Sequence, residues 1–129
     1  MEIVKLAVKK NGILVSVEKT EKLVGLERMR NLLDVNFIDI VTVKFPILKS
    51  MDIVVDDEGA LKECRQINLV ASALAGQPIF GDALVVKRVE TSDGIYEGGL
   101  EGAEVKEIYK AIDIVYQLYI NFKKKEKMK

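Results

Sequence analysis

MEIVKLAVKKNGILVSV, residues 1–17, sets two apolar segments on either side of an Asn-Gly pair. Ile3, Leu6 and Val8 alternate with charged neighbours, and Ile13, Leu14, Val15 and Val17 resume the pattern after Asn11-Gly12. Asn and Gly tolerate the positive φ angles of tight strand-matching turns, so a β-hairpin turning at Asn11-Gly12 is predicted. From Thr20 the spacing becomes helical. Leu23, Leu26, Met29 and Leu33 share a face, with Glu21, Lys22, Arg28 and Arg30 mostly opposite, and Thr20 is the predicted N-cap.

Asp34-Val35-Asn36 ends that helix, and the apolar, β-branched run Phe37 to Phe45 predicts a buried strand closed by Pro46. Met51 to Val55 is a further strand, and Asp56-Asp57-Glu58-Gly59 before Ala60-Leu61-Lys62 predicts a second hairpin. Asn68 is placed to cap a short helix through Leu74 that stops at Gly76, ahead of Pro78. Ile79 to Glu90 predicts another strand, which Ser92-Asp93-Gly94 turns back into Ile95-Tyr96 as a third hairpin. Val105, Ile108, Ile112, Val115, Tyr119 and Phe122, three or four apart, predict a long C-terminal helix over 103–124 with a basic tail at 125–129. Hairpins outnumber crossovers. The expected architecture is therefore α+β: an antiparallel or mixed sheet built from hairpins, with one helix after the first hairpin, a short middle helix and a long C-terminal helix.

A chain of 129 residues that is 49% apolar and 31% charged has the size and composition of a single folded domain, residues 1–129. Its 20 Lys and Arg balance its 20 Asp and Glu, so no net field draws it to nucleic acid. Charged residues interrupt every apolar run before the length of a membrane span, and Cys64, as the single cysteine, forms no internal disulfide. A cytoplasmic protein is expected. Without histidine, Ser-His-Asp and Cys-His catalysis are excluded, as is the commonest ligand for zinc and copper. No catalytic residue, metal ligand or cofactor is assigned.

Several features admit a bland and a functional reading. Cys64, between Lys62 and Arg65, is either a packed thiol or a nucleophile. Asp56, Asp57 and Glu58 lack the alternating ligands of a calcium loop and fit a solvated turn. Gly98-Gly99-Leu100-Glu101-Gly102 lacks the pattern of a phosphate loop, and its acidic neighbours Glu97, Glu101 and Glu104 fit a flexible entry into the last helix. Lys123, Lys124 and Lys125 would meet a phosphate backbone if the tail bound nucleic acid, or would simply complement the helix C-terminus. Tyr109 and Tyr116, seven residues apart, share a flank of the last helix beside its main stripe, which points to packing on the sheet or on another subunit.

The run Thr20 to Val43, the segment Asp52 to Lys62, Asn68, and Ile79-Phe-Gly-Asp-Ala-Leu-Val-Val86 together resemble a family of small domains of unknown function from phages, plasmids and conjugative elements, chiefly of Firmicutes. The resemblance covers residues 1–90, and the long C-terminal helix lies beyond it. It implies a mobile-element accessory protein; a binding protein of that origin is expected to act in the host cytoplasm by occupying a host or phage protein, such as a component of a defence system. Asn68, Gly81 and Asp82 match the family's distinctive positions and are candidate contacts for a partner or ligand, although a cap, a tight turn and a turn-bonding side chain would explain them equally. Three functions follow as expectations: protein–protein recognition without catalysis, sequestration of a small molecule or nucleotide by an oligomer, and nucleic-acid binding through the lysines.

Overall fold

A computed structural model describes residues 1–62 and 66–128. Cys64, and Lys129 of the basic tail, lie outside the described residues. Among these, the chain forms six strands and three α-helices: β1 (Glu2–Lys9), β2 (Gly12–Lys19), α1 (Leu26–Leu33), β3 (Ile38–Thr42), β4 (Met51–Asp56), α2 (Leu69–Ala75), β5 (Ala83–Thr91), β6 (Gly94–Gly98) and α3 (Gly102–Lys127). All strand pairs are antiparallel, in the order β2-β1-β5-β4-β3. The α+β expectation holds.

β5 organises the sheet. One of its edges pairs with β4 from Ala83 to Lys87; the other pairs first with β1 (Ala83–Val85) and then with β6 (Lys87–Thr91). Central position means burial on both faces, and Ala83, Leu84, Val85 and Val86 are all fully buried. Val4, Leu6, Ile53, Val55, Ala83 and Val85 face α2 and α3, while Ile3, Val54, Leu84 and Val86 face α1 through Met29 and Leu33. Helices thus cover both faces.

Four local expectations are corrected by neighbours that composition does not reveal. The first hairpin pairs Lys9 with Gly12, so its two-residue turn is Lys10-Asn11, and Gly12 alone takes a positive φ, +146°. The helix expected from Thr20 begins at Leu26 with Gly25 as its N-cap. Residues 20–25 instead form an extended strap bonded to the sheet, Thr20 N–H to Met1 C=O (2.9 Å) and Val24 N–H to Glu97 C=O (2.9 Å), which leaves Leu23 half exposed. β3 is an edge strand, not a buried one, with Phe37 beside it 59% exposed. The second hairpin joins β4 backward to β3; Gly59–Leu61 is a 3-10 turn because β5 already occupies the other edge of β4.

The Gly98-Gly99 segment, expected to be flexible, is a close contact between the strap and β6. A Cβ on Gly98 would lie 2.7 Å from Lys22 O and 2.9 Å from Val89 Cγ2, whereas one on Gly102, the first residue of α3, meets nothing within 4 Å. Gly98→Ala is therefore expected to destabilise the fold by about 1–3 kcal/mol. Gly102→Ala should be neutral or stabilising. Urea denaturation of the two variants checks the contrast.

Candidate functional site

Asn68 caps α2 from the interior. Its Oδ1 accepts from Ala71 N–H (3.0 Å), and its Nδ2 donates to Leu6 C=O and Gly81 C=O (both 3.0 Å). With no exposed surface and every side-chain polar atom bonded, Asn68 ties α2 to β1 and to the start of β5. Gly81 takes φ +82°, a conformation few other residues adopt, and Asp82 Oδ1 accepts from Val8 N–H (2.9 Å). These three residues meet around one knot of hydrogen bonds, of which Gly81 and Asp82 reach solvent.

They do so at a polar cleft of about 360 Å³ between the end of α1, the Asp56–Lys62 turn and the start of β5. Two of its three carboxylates, Asp56 and Asp82, are paired with lysines, and Asp34 is the third. Lys62 pairs with Asp56, whose hydrogen bond raises the lysine pKa. Lys5 Nζ donates to Leu32 C=O (2.9 Å) at the end of α1 and lies 4.0 Å from Asp82 Oδ2. Asp56 Oδ1 also accepts from Glu58 N–H (3.0 Å), so the acidic cluster read as a solvated turn is one. Among the described residues no three acidic, Cys or His side chains converge as a metal site would require.

A third polar group sits at the other end of β5. Arg88 Nη2 and Nε lie 2.9 and 3.1 Å from Asp52 Oδ1, which holds the guanidinium charged. Glu97, directly opposite Arg88 in the β5–β6 ladder, is buried and has Oε2 without a hydrogen-bond partner when ionised. Burial, then a hydrogen bond and repulsion from Asp52, push its pKa up to about 8 against the opposing pull of Arg88. The Glu97 carboxyl therefore keeps its proton to higher pH than an ordinary carboxylate. Between the ordinary carboxylate range and pH 8 the unfolded chain has released this proton while the folded chain keeps it, so stability falls as pH rises across that window. Glu97→Gln should flatten the decline and raise the midpoint of thermal unfolding at pH 8, as a series of melts at different pH would show.

The apolar surface lies elsewhere, along α3. Val105, Ile108, Ala111 and Ile112 pack on the sheet and against α2, Val115 and Tyr116 are half buried, and every residue from Gln117 to Met128 is exposed. At 1.5 Å per residue, the part of the helix from 117 to 127 carries the chain roughly 16 Å past its last support. It is not polar. Leu118 is 63% exposed, Phe122 57%, and Ile114, Tyr119 and Ile120 over two-fifths each. Beneath it, Val115, Tyr116 and Tyr119 form one wall of a groove of about 310 Å³, completed by Ile67 and Leu69 before and within α2 and by Ile13 at the first hairpin tip.

Of the aromatic pair singled out in sequence, Tyr116 lines this groove and packs on the core, whereas Tyr109 is exposed on the same flank and does not reach the groove. Lys123, Lys124 and Lys125, each turned about 100° from the last, face three sides of the helix and present no common face to a phosphate backbone. Lys123 lies 3.6 Å from Glu126 and 5.7 Å above the Tyr119 ring. Comparison with protein-family models, curated proteins and solved structures returned no match. The geometry of the chain itself therefore carries the functional reading. Ile114, Leu118 and Ile120 escaped the sequence pattern because only the contrast between helix length and strand length exposes them.

Asn68→Ala should cost at least about 2 kcal/mol, since it removes the cap and leaves Leu6 and Gly81 carbonyls without their donor. Chemical denaturation measures the loss, and an unchanged midpoint would contradict this account of the knot.

Proposed function

We propose that the chain is a non-catalytic recognition protein that binds another protein through the end of α3 and the apolar groove beside it. One observation carries this: the apolar residues of α3 continue for more than two turns past its last buried residue, and from Gln117 to Met128 every one of them is exposed. Contiguous exposed apolar surface is a recurrent mark of a site of interaction with another molecule. The polar cleft supports the small-molecule reading less well, because its Lys62 and two of its three carboxylates are already engaged in ion pairs. The scattered lysine directions likewise favour protein over nucleic acid.

The resemblance to domains of mobile elements supports a host protein in the cytoplasm as the partner, with interference in a defence system as its purpose. No helix of the described residues is long and apolar enough to cross a membrane. Affinity capture from host lysate with the wild type, Leu118→Glu and Asp82→Asn tests the reading. A stoichiometric protein retained by wild type and Asp82→Asn but lost by Leu118→Glu is the expected result. Capture that survives Leu118→Glu, or depends on Asp82 instead, overturns it.

A further inference from the structure

We infer that the end of α3 is covered by α3 of a second copy of this chain, the two helices running antiparallel. The inference rests on the reading of this surface as a recognition site and names a second copy, in place of a host protein, as what covers its Leu118 flank. Glu107, Ile114, Leu118, Asn121 and Lys125 are spaced by seven, four, three and four residues, which aligns them in one narrow strip along the helix. All five reach solvent, with the Glu107 side chain 42% and Ile114 44% exposed. The strip is acidic at its N-terminal end, apolar in the middle and basic at its C-terminal end.

Laid antiparallel on a second copy about a two-fold axis midway between Ile114 and Leu118, the strip is complementary to itself. Ile114 of each copy meets Leu118 of the other, and Glu107 meets Lys125. Glu107 within its own helix reaches only the exposed Lys110, at 3.4 Å, a contact of little value in water. A parallel arrangement would instead oppose Lys125 to Lys125 and Glu107 to Glu107. Such a two-fold contact is closed, so it yields a dimer and not a filament.

The area suits a reversible dimer. Ile114 and Leu118 expose on the order of 200 Å² of side chain per copy, and with the polar residues at both ends of the strip the paired area stays below the roughly 1,200 Å² of a standard stable complex, in the range of weak, reversible contacts. The partner's helix end then lies along the exposed flank of α3 that precedes residue 116, which neither the sheet nor α2 occupies.

Sedimentation equilibrium of the full chain across the micromolar range tests the pairing. The wild type is expected to double in mass with concentration, and Leu118→Glu to stay monomeric with an unchanged circular dichroism spectrum. Glu107→Lys and Lys125→Glu should each weaken association by about tenfold. The double variant Glu107→Lys with Lys125→Glu should restore it, which only the antiparallel alignment predicts. A wild type that remains monomeric throughout, or a double variant no better than either single one, overturns self-pairing. If that monomer still captures a partner through Leu118, the recognition reading stands while the second copy is excluded as its occupant.

Discussion

β5 has three neighbours to satisfy at once, and the remaining structure follows from how it does so. Its backbone bonds run to β4 along one edge and are divided between β1 and β6 along the other. That division requires β6 to end where β1 begins, so the chain leaving β6 crosses the start of β1, where Leu100 and Glu2 exchange backbone hydrogen bonds of 2.7 and 3.0 Å. The same crossing presses Gly98 and Gly99 against the strap that follows β2. A sheet whose central strand is shared in this way admits little slippage, because a one-residue shift would turn Leu84 and Val86 toward the wrong helix layer.

The buried polar groups mark the two ends of this strand. At its beginning, Asn68 and Asp82 satisfy backbone groups of β1, α2 and the Gly81 turn that no ladder reaches. At its far half, Arg88 is held by Asp52 across the β4–β5 pair and faces Glu97 across the β5–β6 pair. Two carboxyls beside one guanidinium leave a surplus negative charge in a desolvated place, and retention of a proton on Glu97 removes it. Polar side chains that look like chemistry in a list of residues are here engaged with the fold, whereas the apolar end of α3 is exposed.

That surface arises from a mismatch of lengths. The 26 residues of α3 extend roughly 39 Å, whereas the nine residues of β5, the longest strand, span roughly 30 Å at most. Because the helix starts beside the sheet and is longer than it, its last turns must leave the layer. Had those turns been polar, the excess would be a solvated tail. They carry Tyr119 and Phe122 instead, in continuation of the face that packs on the core, with Leu118 on the flank beside it.

Local chemistry in the sequence was sufficient for several elements. The Asn68 cap and the Gly76 stop delimit α2, Asp34 ends α1 in a left-handed conformation, and Ser92-Asp93 turns β5 into β6, since each depends on side chains within a few residues of the backbone they satisfy. The missing histidine settles the exclusion of two kinds of catalysis in the same direct way. Tertiary structure alone decided that residues 20–25 pair with the sheet instead of extending α1, that β3 is an edge, and that the stripe from Val105 to Phe122 is core in its first half and surface in its second. In each of these cases the same apolar or helical pattern is compatible with two outcomes. Only the presence or absence of a distant strand beside it, which no local pattern encodes, selects between them.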